Sequence, residues 1–387
     1  MRILFSMTVF WGIAVAVSLN ATCASAADQY SLTDLGSFTP TGLNTSGQIC
    51  GNIPATGGTT HAAIYDNGSI QDLGVLPGYT SSFANDINSG AQVVGYQTVP
   101  NDPFNADYAF LFSDGTMLDM TTLPIYSGGT AMIARGINSL GQVVGEAAWN
   151  NSQLGGFRTG YGFLYSNGVV SPSPLNFNFL NGGGGTGGDS FAINDSGQIA
   201  GVGYDYYGGF PSAALSTGLQ ETSIFSSSDG GEIASSATAI NGAGQVLGQV
   251  SGRDISSFSF LYSDDRVQTL SLTASQYADG LNDEGQVVGA IGNDAALYDG
   301  SETIDLNTLI PANSGWTLED ATAINDSGQI VGVGMSPGGQ TDGFLLTPSV
   351  PVPEPLAVSI LALASLVLIR RPRYVRNESV ISHGRSN

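Results

Sequence analysis

A chain of 387 residues has room for two or three ordinary domains, and its composition, 42% hydrophobic with 54 glycines and only 11% charged, describes a folded protein of short strands and tight turns rather than amphipathic helices. The charge is lopsided: lysine is absent, and residues 27–350 carry 30 acidic side chains against four arginines, a formal charge of −26. Such a surface repels nucleic acid and anionic headgroups, which excludes nucleic acid as a partner and leaves solubility, divalent ions, or neutral and cationic ligands as its uses.

From the start of the chain, Arg2, an apolar run over residues 3–17 and Ala24-Ser25-Ala26 follow the order of a secretory signal peptide, with residues 1–26 removed by cleavage after Ala26. Cys23 leaves with that segment; Asn20 and Thr22 ahead of it fit a lipoprotein acylation site poorly. Cys50 is then the sole remaining thiol, so no intrachain disulfide forms.

Seven copies of one phrase follow: LNTSGQICG at Leu43, INSGAQVVG at Ile87, INSLGQVVG at Ile137, INDSGQIAG at Ile193, INGAGQVLG at Ile240, LNDEGQVVG at Leu281 and INDSGQIVG at Ile324. Their asparagines (Asn44, Asn88, Asn138, Asn194, Asn241, Asn282, Asn325) are 44, 50, 56, 47, 41 and 43 residues apart, a period that marks a ring or stack of small sheets. Each repeat reads as a first segment ending in Ile-Asn, a tight turn, Gln-Val-Val-Gly, an aromatic run such as Tyr108-Ala109-Phe110, and a last strand such as Met117-Leu118-Asp119. Turn residues separate all four segments. Four short strands per repeat match a β-propeller blade, whereas the coils of a β-helix need far fewer residues.

Repeat seven stops after its third segment, Gly343-Phe344-Leu345-Leu346, while the mature chain opens on Tyr30-Ser31-Leu32-Thr33-Asp34-Leu35-Gly36, which has the fourth-strand pattern of Ser69-Ile70-Gln71-Asp72-Leu73-Gly74. A strand supplied by the opposite terminus closes a ring and covers two sheet edges. The expected fold is therefore all-β: a seven-bladed β-propeller over residues 27–350, closed by an N-terminal strand, with an open β-solenoid as the alternative.

The Asn-x-x-Gly-Gln phrase resembles the HAF repeat, a family of probable extracellular repeats named for His-Ala-Phe in the third strand. Here that position reads His61-Ala62-Ala63, Tyr108-Ala109-Phe110 or Tyr161-Gly162-Phe163. The resemblance covers nearly the whole mature chain and implies an extracellular location more than any chemistry.

At the far end, Pro353-Glu354-Pro355 precedes an uncharged stretch, residues 356–369, and then Arg370, Arg371, Arg373 and Arg376. Fourteen residues make a helix about 21 Å long, short of a hydrocarbon core of about 30 Å, so spanning needs help from the flanks; the arginines stay cytoplasmic. Residues 352–373 resemble the PEP-CTERM sorting signal of Gram-negative bacteria, so residues 351–376 are taken as that signal and 377–387 as a basic, polar cytoplasmic tail. The resemblance implies an exosortase-type processing enzyme and the secretion machinery as partners. It also implies insertion in the inner membrane before release, and an exopolysaccharide or biofilm-matrix setting. A plain membrane anchor is the alternative.

Residues repeated in every blade are poor catalytic candidates, since a reaction centre is normally unique. Asn, Gln and the glycine three places after that Gln recur seven times; they read as structure, Asn bonding its own turn and Gln satisfying a backbone group within or between blades. With histidine limited to His61 and His383, neither a histidine zinc site nor Ser-His-Asp or Cys-His catalysis is expected, and no catalytic or metal residue is assigned. Cys50 stands where other repeats have Val94, Val144, Ala200, Leu247, Val288 and Val331, as a core residue does. Strings such as Asn194-Asp195-Ser196-Gly197 read as solvated turns, with calcium the lesser alternative and no other cofactor expected.

Alternating strands put the uniform turns on one face and the variable connections on the other. The long connections belong to repeats two to four, at residues 96–107, 146–160 and 204–211, and carry Phe104, Trp149, Phe157, Arg158, Tyr204, Asp205, Tyr206, Tyr207 and Phe210. Aromatic faces beside carboxylate and guanidinium suit sugars. The sequence thus points to an exported, noncatalytic repeat protein that binds polysaccharide or a surface protein through this face. A carboxylate-dependent glycoside hydrolase or lyase and a structural coat or adhesion protein are the alternatives.

Overall fold

The computed structural model describes residues 29–100, 106–123, 131–151, 157–175, 188–203, 211–218, 220–225, 233–253, 255–270, 272 and 280–349. Residues 1–26, read above as a signal peptide, and residues 351–376, read as a sorting signal, with Pro353, Glu354, Pro355, Arg370 and Arg371, lie outside them. The described residues form seven four-stranded antiparallel sheets set as blades around an axis, a β-propeller.

Blade one shows the plan: strands Thr39–Leu43, Ile49–Pro54, Thr60–Asp66 and Ser69–Gly74 follow one another outward. Blade seven takes Thr317–Ile324, Ile330–Met335 and Thr341–Pro348 from the end of the domain, and its outer strand is Tyr30–Gly36 from the beginning, with Tyr30 opposite Pro348 and Leu32 opposite Leu346. The expected closure is present. Tyr30 and Leu346 are buried in the core of this blade, so the terminal strand is held by side-chain packing as well as by its ladder.

The two turn types are legible in the dihedral angles. Gly47 donates its N–H to the Asn44 carbonyl and sits at φ +81°, a type I turn followed by a left-handed residue that returns the chain as a hairpin. In repeat two Ala91 takes that conformation at φ +57°, where a Cβ is unfavourable. The outer turns Asn67-Gly68, Asp114-Gly115 and Asn167-Gly168 have positive φ at both positions, as two-residue hairpins of this twist require.

The core lies between blades, and one recurrent glycine explains its form. A Cβ on Gly145 would lie 2.0 Å from the Ile133 carbonyl oxygen and 2.8 Å from the Phe163 ring; on Gly332 it would meet the Asp320 carbonyl oxygen at 2.0 Å and Phe344 at 2.6 Å. The glycine three places after Gln thus makes room for the fully buried third-strand aromatics Phe110, Phe163, Phe260 and Phe344. In blades one and four, where the third strand carries Ala63 and Ala214 instead, a ring or branched side chain from a connection, Phe38 or Leu175, reaches the same glycine.

Candidate functional site

The repeated asparagines form a closed circuit around the axis. Asn44 Nδ2 donates to the carbonyl of Asn88 at 3.0 Å, Asn88 to Asn138 at 2.9 Å, Asn138 to Asn194 at 3.1 Å and Asn194 to Asn241 at 2.9 Å. Asn241 continues to Asn282 at 2.8 Å, Asn282 to Asn325 at 3.3 Å, and Asn325 returns to Asn44 at 3.0 Å. The second N–H of each amide goes to the Gln of its own turn, as from Asn325 to Gln329 Oε1 at 2.9 Å, and Asn325 Oδ1 accepts from the Ser327 and Gln329 backbones. All four hydrogen-bonding positions of a side chain only 4% exposed are filled. The Gln side chain's recurrent partner is therefore the asparagine amide, not the backbone group its position suggested. Asp195, Asp283 and Asp326 add a partial outer belt, each accepting the N–H that follows the previous blade's asparagine (Ser139, Gly242 and Asp283).

Just inside this circuit Leu43, Ile87, Ile137, Ile193, Ile240, Leu281 and Ile324, the residues before each asparagine, form an aliphatic collar. It divides the axial space into a shallow mouth of about 280 Å³ and an inner cavity of about 640 Å³. The cavity wall comes from a second repeated device. In six of the innermost strands the pairing register slips three residues before the asparagine, at Thr41, Asn85, Arg135, Phe191, Thr238 and Thr322. Each of these bulged residues lines the cavity. A bulge adds one residue and re-aims its side chain, so a ladder that otherwise repeats gives each blade one position facing the axis that packing leaves free to vary.

The variation is concentrated in blades two to four. Blade two contributes Asn85 and Asp86, blade three Arg135, blade four Phe191; blades one, five and seven contribute threonine at the bulge. Asp86 stands where other blades have Gly42, Gly136, Ala192, Ala239, Gly280 and Ala323. Its carboxylate accepts N–H bonds from Ile87 at 2.8 Å and, across to the next blade, from Ile137 at 2.9 Å. Burial nonetheless outweighs those bonds and pushes its pKa up to about 6. Arg135 pairs with Glu146 through Nη2 to Oε1 at 2.5 Å and lies 5.9 Å over the Phe191 ring. Its buried Nε and the buried Nε2 of Gln249, another cavity residue, lack acceptors among the described residues. Cys50 lies behind the wall, fully buried, and burial pushes its thiol up to about 12, which makes it inert at neutral pH.

Of the residues the sequence singled out, Trp149, Phe157 and Arg158 fall on one hairpin of blade three, where Trp149 pairs with Thr159, Asn150 with Arg158 and Asn151 with Phe157 along the backbone ladder. Phe104, Tyr204, Asp205, Tyr206, Tyr207 and Phe210 lie outside the described residues. Among the described residues no group of three or more His, Cys, Asp or Glu is placed to hold a metal, and no helix is long and apolar enough to cross a membrane. Asn85, Asp86, Arg135 and Phe191 were missed by sequence reasoning. The signal was present: aligned on the asparagines, the column two places ahead holds Asp86 among glycines and alanines, and the column three places ahead holds Asn85, Arg135, Phe191 and Asp279 beside three threonines.

No family model matches the chain, and no curated protein matches it. Solved structures align with the chain at low identity. A puromycin-hydrolyzing peptidase of Mycobacterium tuberculosis aligns over 82% of this chain and 54% of its own, at 12% identity and a TM-score of 0.49. A gluconolactonase of Xanthomonas campestris, XC5397, aligns over 85% and 93%, at 10% identity and 0.39. The β-propeller domain of the Trilobed protease from Pyrococcus furiosus aligns over 72% and 96%, at 9% identity and 0.33. The chain thus spans about half the length of the first of these.

Proposed function

We propose that this chain is an exported, noncatalytic propeller of the cell surface or extracellular matrix that binds polysaccharide through its variable-loop face. The observation that carries this reading is where the repeat symmetry breaks. The blades whose outer connections hold the aromatic residues, two to four, are also the blades whose bulges put amide, carboxylate, guanidinium and aromatic groups on the axis. At the other described bulges, in blades one, five and seven, the residue is threonine. A formal charge of −26 over residues 27–350 favours a neutral polymer over a polyanion. The signal-peptide pattern of residues 1–26 and the PEP-CTERM-like pattern of residues 352–373 support export and processing by an exosortase-type enzyme.

The test is retention of the mature domain on the host's own polysaccharide, followed by sizing of the recovered polymer. Binding with unchanged chain length is expected. Shortened polymer would establish the hydrolase or lyase instead, and retention on protease-treated cells falling to zero would establish a protein partner.

A further inference from the structure

From the cavity's lining and its two unlike ends, we infer that the central cavity is a chain-end site that receives one terminal pyranose of a neutral glycan. The inference rests on the polysaccharide-binding reading and specifies which part of the polymer is recognised. At about 640 Å³ the cavity is of the size that encloses small ligands, and too small for a polymer segment to fold through.

Its chemistry is that of a sugar subsite. A pyranose offers an apolar ring face surrounded by hydroxyls that both donate and accept. Phe191 supplies a ring, Asp86 an acceptor, Asn85 and Gln249 amides, and Thr238 and Thr322 hydroxyls, all lining the one cavity. The guanidinium of Arg135, held over Phe191 and by Glu146, fixes the polar sector in place. The acceptorless Nε of Arg135 and Nε2 of Gln249 would each find an oxygen partner on a bound sugar after a small side-chain rotation. A lining that existed only to fill space would repeat threonine around the ring; this one distinguishes one side from the other, which is what orientation of a chiral ligand requires.

The two ends decide how the ligand lies. Toward the asparagine circuit the cavity meets Leu43, Ile193, Ile240, Leu281 and Ile324 of the aliphatic collar, hydrocarbon that gives a hydroxylated chain no partners. A glycan therefore enters from the end of the cavity opposite the circuit and stops at the collar, with its remaining residues outside the cavity. Recognition is of the terminus.

All twenty-eight strands of the described residues fall within residues 30–348 and make seven complete blades, so the domain of residues 27–350 is the proper reagent. Saturation-transfer NMR and calorimetry against methyl glycosides of glucose, mannose, galactose and N-acetylglucosamine, with glucuronic acid as the anionic comparison, should show at least one neutral glycoside bound and the acid not. Phe191→Leu and Arg135→Gln, checked for an unchanged far-ultraviolet spectrum and cooperative melting, should each weaken that binding at least tenfold. Host polysaccharide cut progressively by mild acid should compete better per gram as chains shorten, because ends multiply. Retention of polysaccharide with no glycoside bound, with equal binding by the folded variants, or with potency per gram constant or falling would overturn the chain-end site while leaving the general reading intact. Failure to retain polysaccharide at all would overturn both.

Discussion

Asn325 donates through Nδ2 to the backbone carbonyl of Asn44 at 3.0 Å, a bond between residues 281 apart in sequence that joins the last repeat to the first. It does for the inner rim what the Tyr30–Gly36 strand does for the outer edge of blade seven. Two different devices, an amide circuit and a borrowed strand, close the same ring.

Replacing Asn325 with alanine removes both donors and the two-fold acceptor of a buried side chain. The Asn44 carbonyl loses its bond and Gln329 loses its anchor. The cost should be about 2–4 kcal/mol, read by urea unfolding, because a buried hydrogen bond contributes about 1 kcal/mol and an orphaned partner adds to the loss. The same change at exposed Asp326 should cost less than half as much.

Ala91→Gly should act in the opposite sense. Six turns place glycine at this left-handed position, and only repeat two holds a Cβ there, at φ +57°. Relief of that strain, less the added freedom of the unfolded chain, should stabilise the protein by about 0.5–1 kcal/mol, seen as a rise in urea midpoint at unchanged slope. No gain would mean that the neighbouring Gly90 already absorbs the strain.

Much of this was legible because the information is local. An Asn-x-x-Gly-Gln turn is specified by residues within hydrogen-bonding reach of one another, and the split seventh repeat is a comparison of two short strings. The amide circuit was not legible. One N–H of each asparagine amide goes to a carbonyl 41 to 56 residues on, or 281 away at the join, and only the closed geometry brings it there. The cavity wall was obscured for a related reason. Alternation alone assigns Arg135 and Phe191 to a face according to a continuous register, and the bulge shifts that register at the very residue concerned.

Asp86 gives a dependence on pH whose sign follows from its environment. Its pKa in the fold is about 6 against an ordinary 3.8, so the folded protein holds the proton more tightly than the unfolded chain. That stabilisation is present below about pH 4 and is lost as the pH rises through 6. Asp86→Asn removes the titration and keeps at most one of the two N–H bonds to Ile87 and Ile137. The stability of the variant relative to the parent should therefore improve from pH 4 to pH 7 by about 1–3 kcal/mol, the range allowing for screening by solvent in the cavity. Parallel melting profiles would show that Asp86 titrates normally.

Processing is testable apart from folding. Changing Pro353, Glu354 and Pro355 to alanine should trap the precursor in the membrane fraction while the parent is released. Equal release of the two would remove the exosortase-type enzyme from the account.

The central claim is that blades two to four form the polysaccharide-binding face, and its most direct measurement is a glycan array probed with the parent domain and with the folded Trp149→Ala, Tyr206→Ala, Tyr207→Ala triple variant. Each stacked ring contributes about 1 kcal/mol or slightly more beyond its buried area, so the variant should bind the parent's neutral glycans at least a hundredfold more weakly. Equal binding by the two proteins, or no neutral glycan bound by the parent, would contradict it.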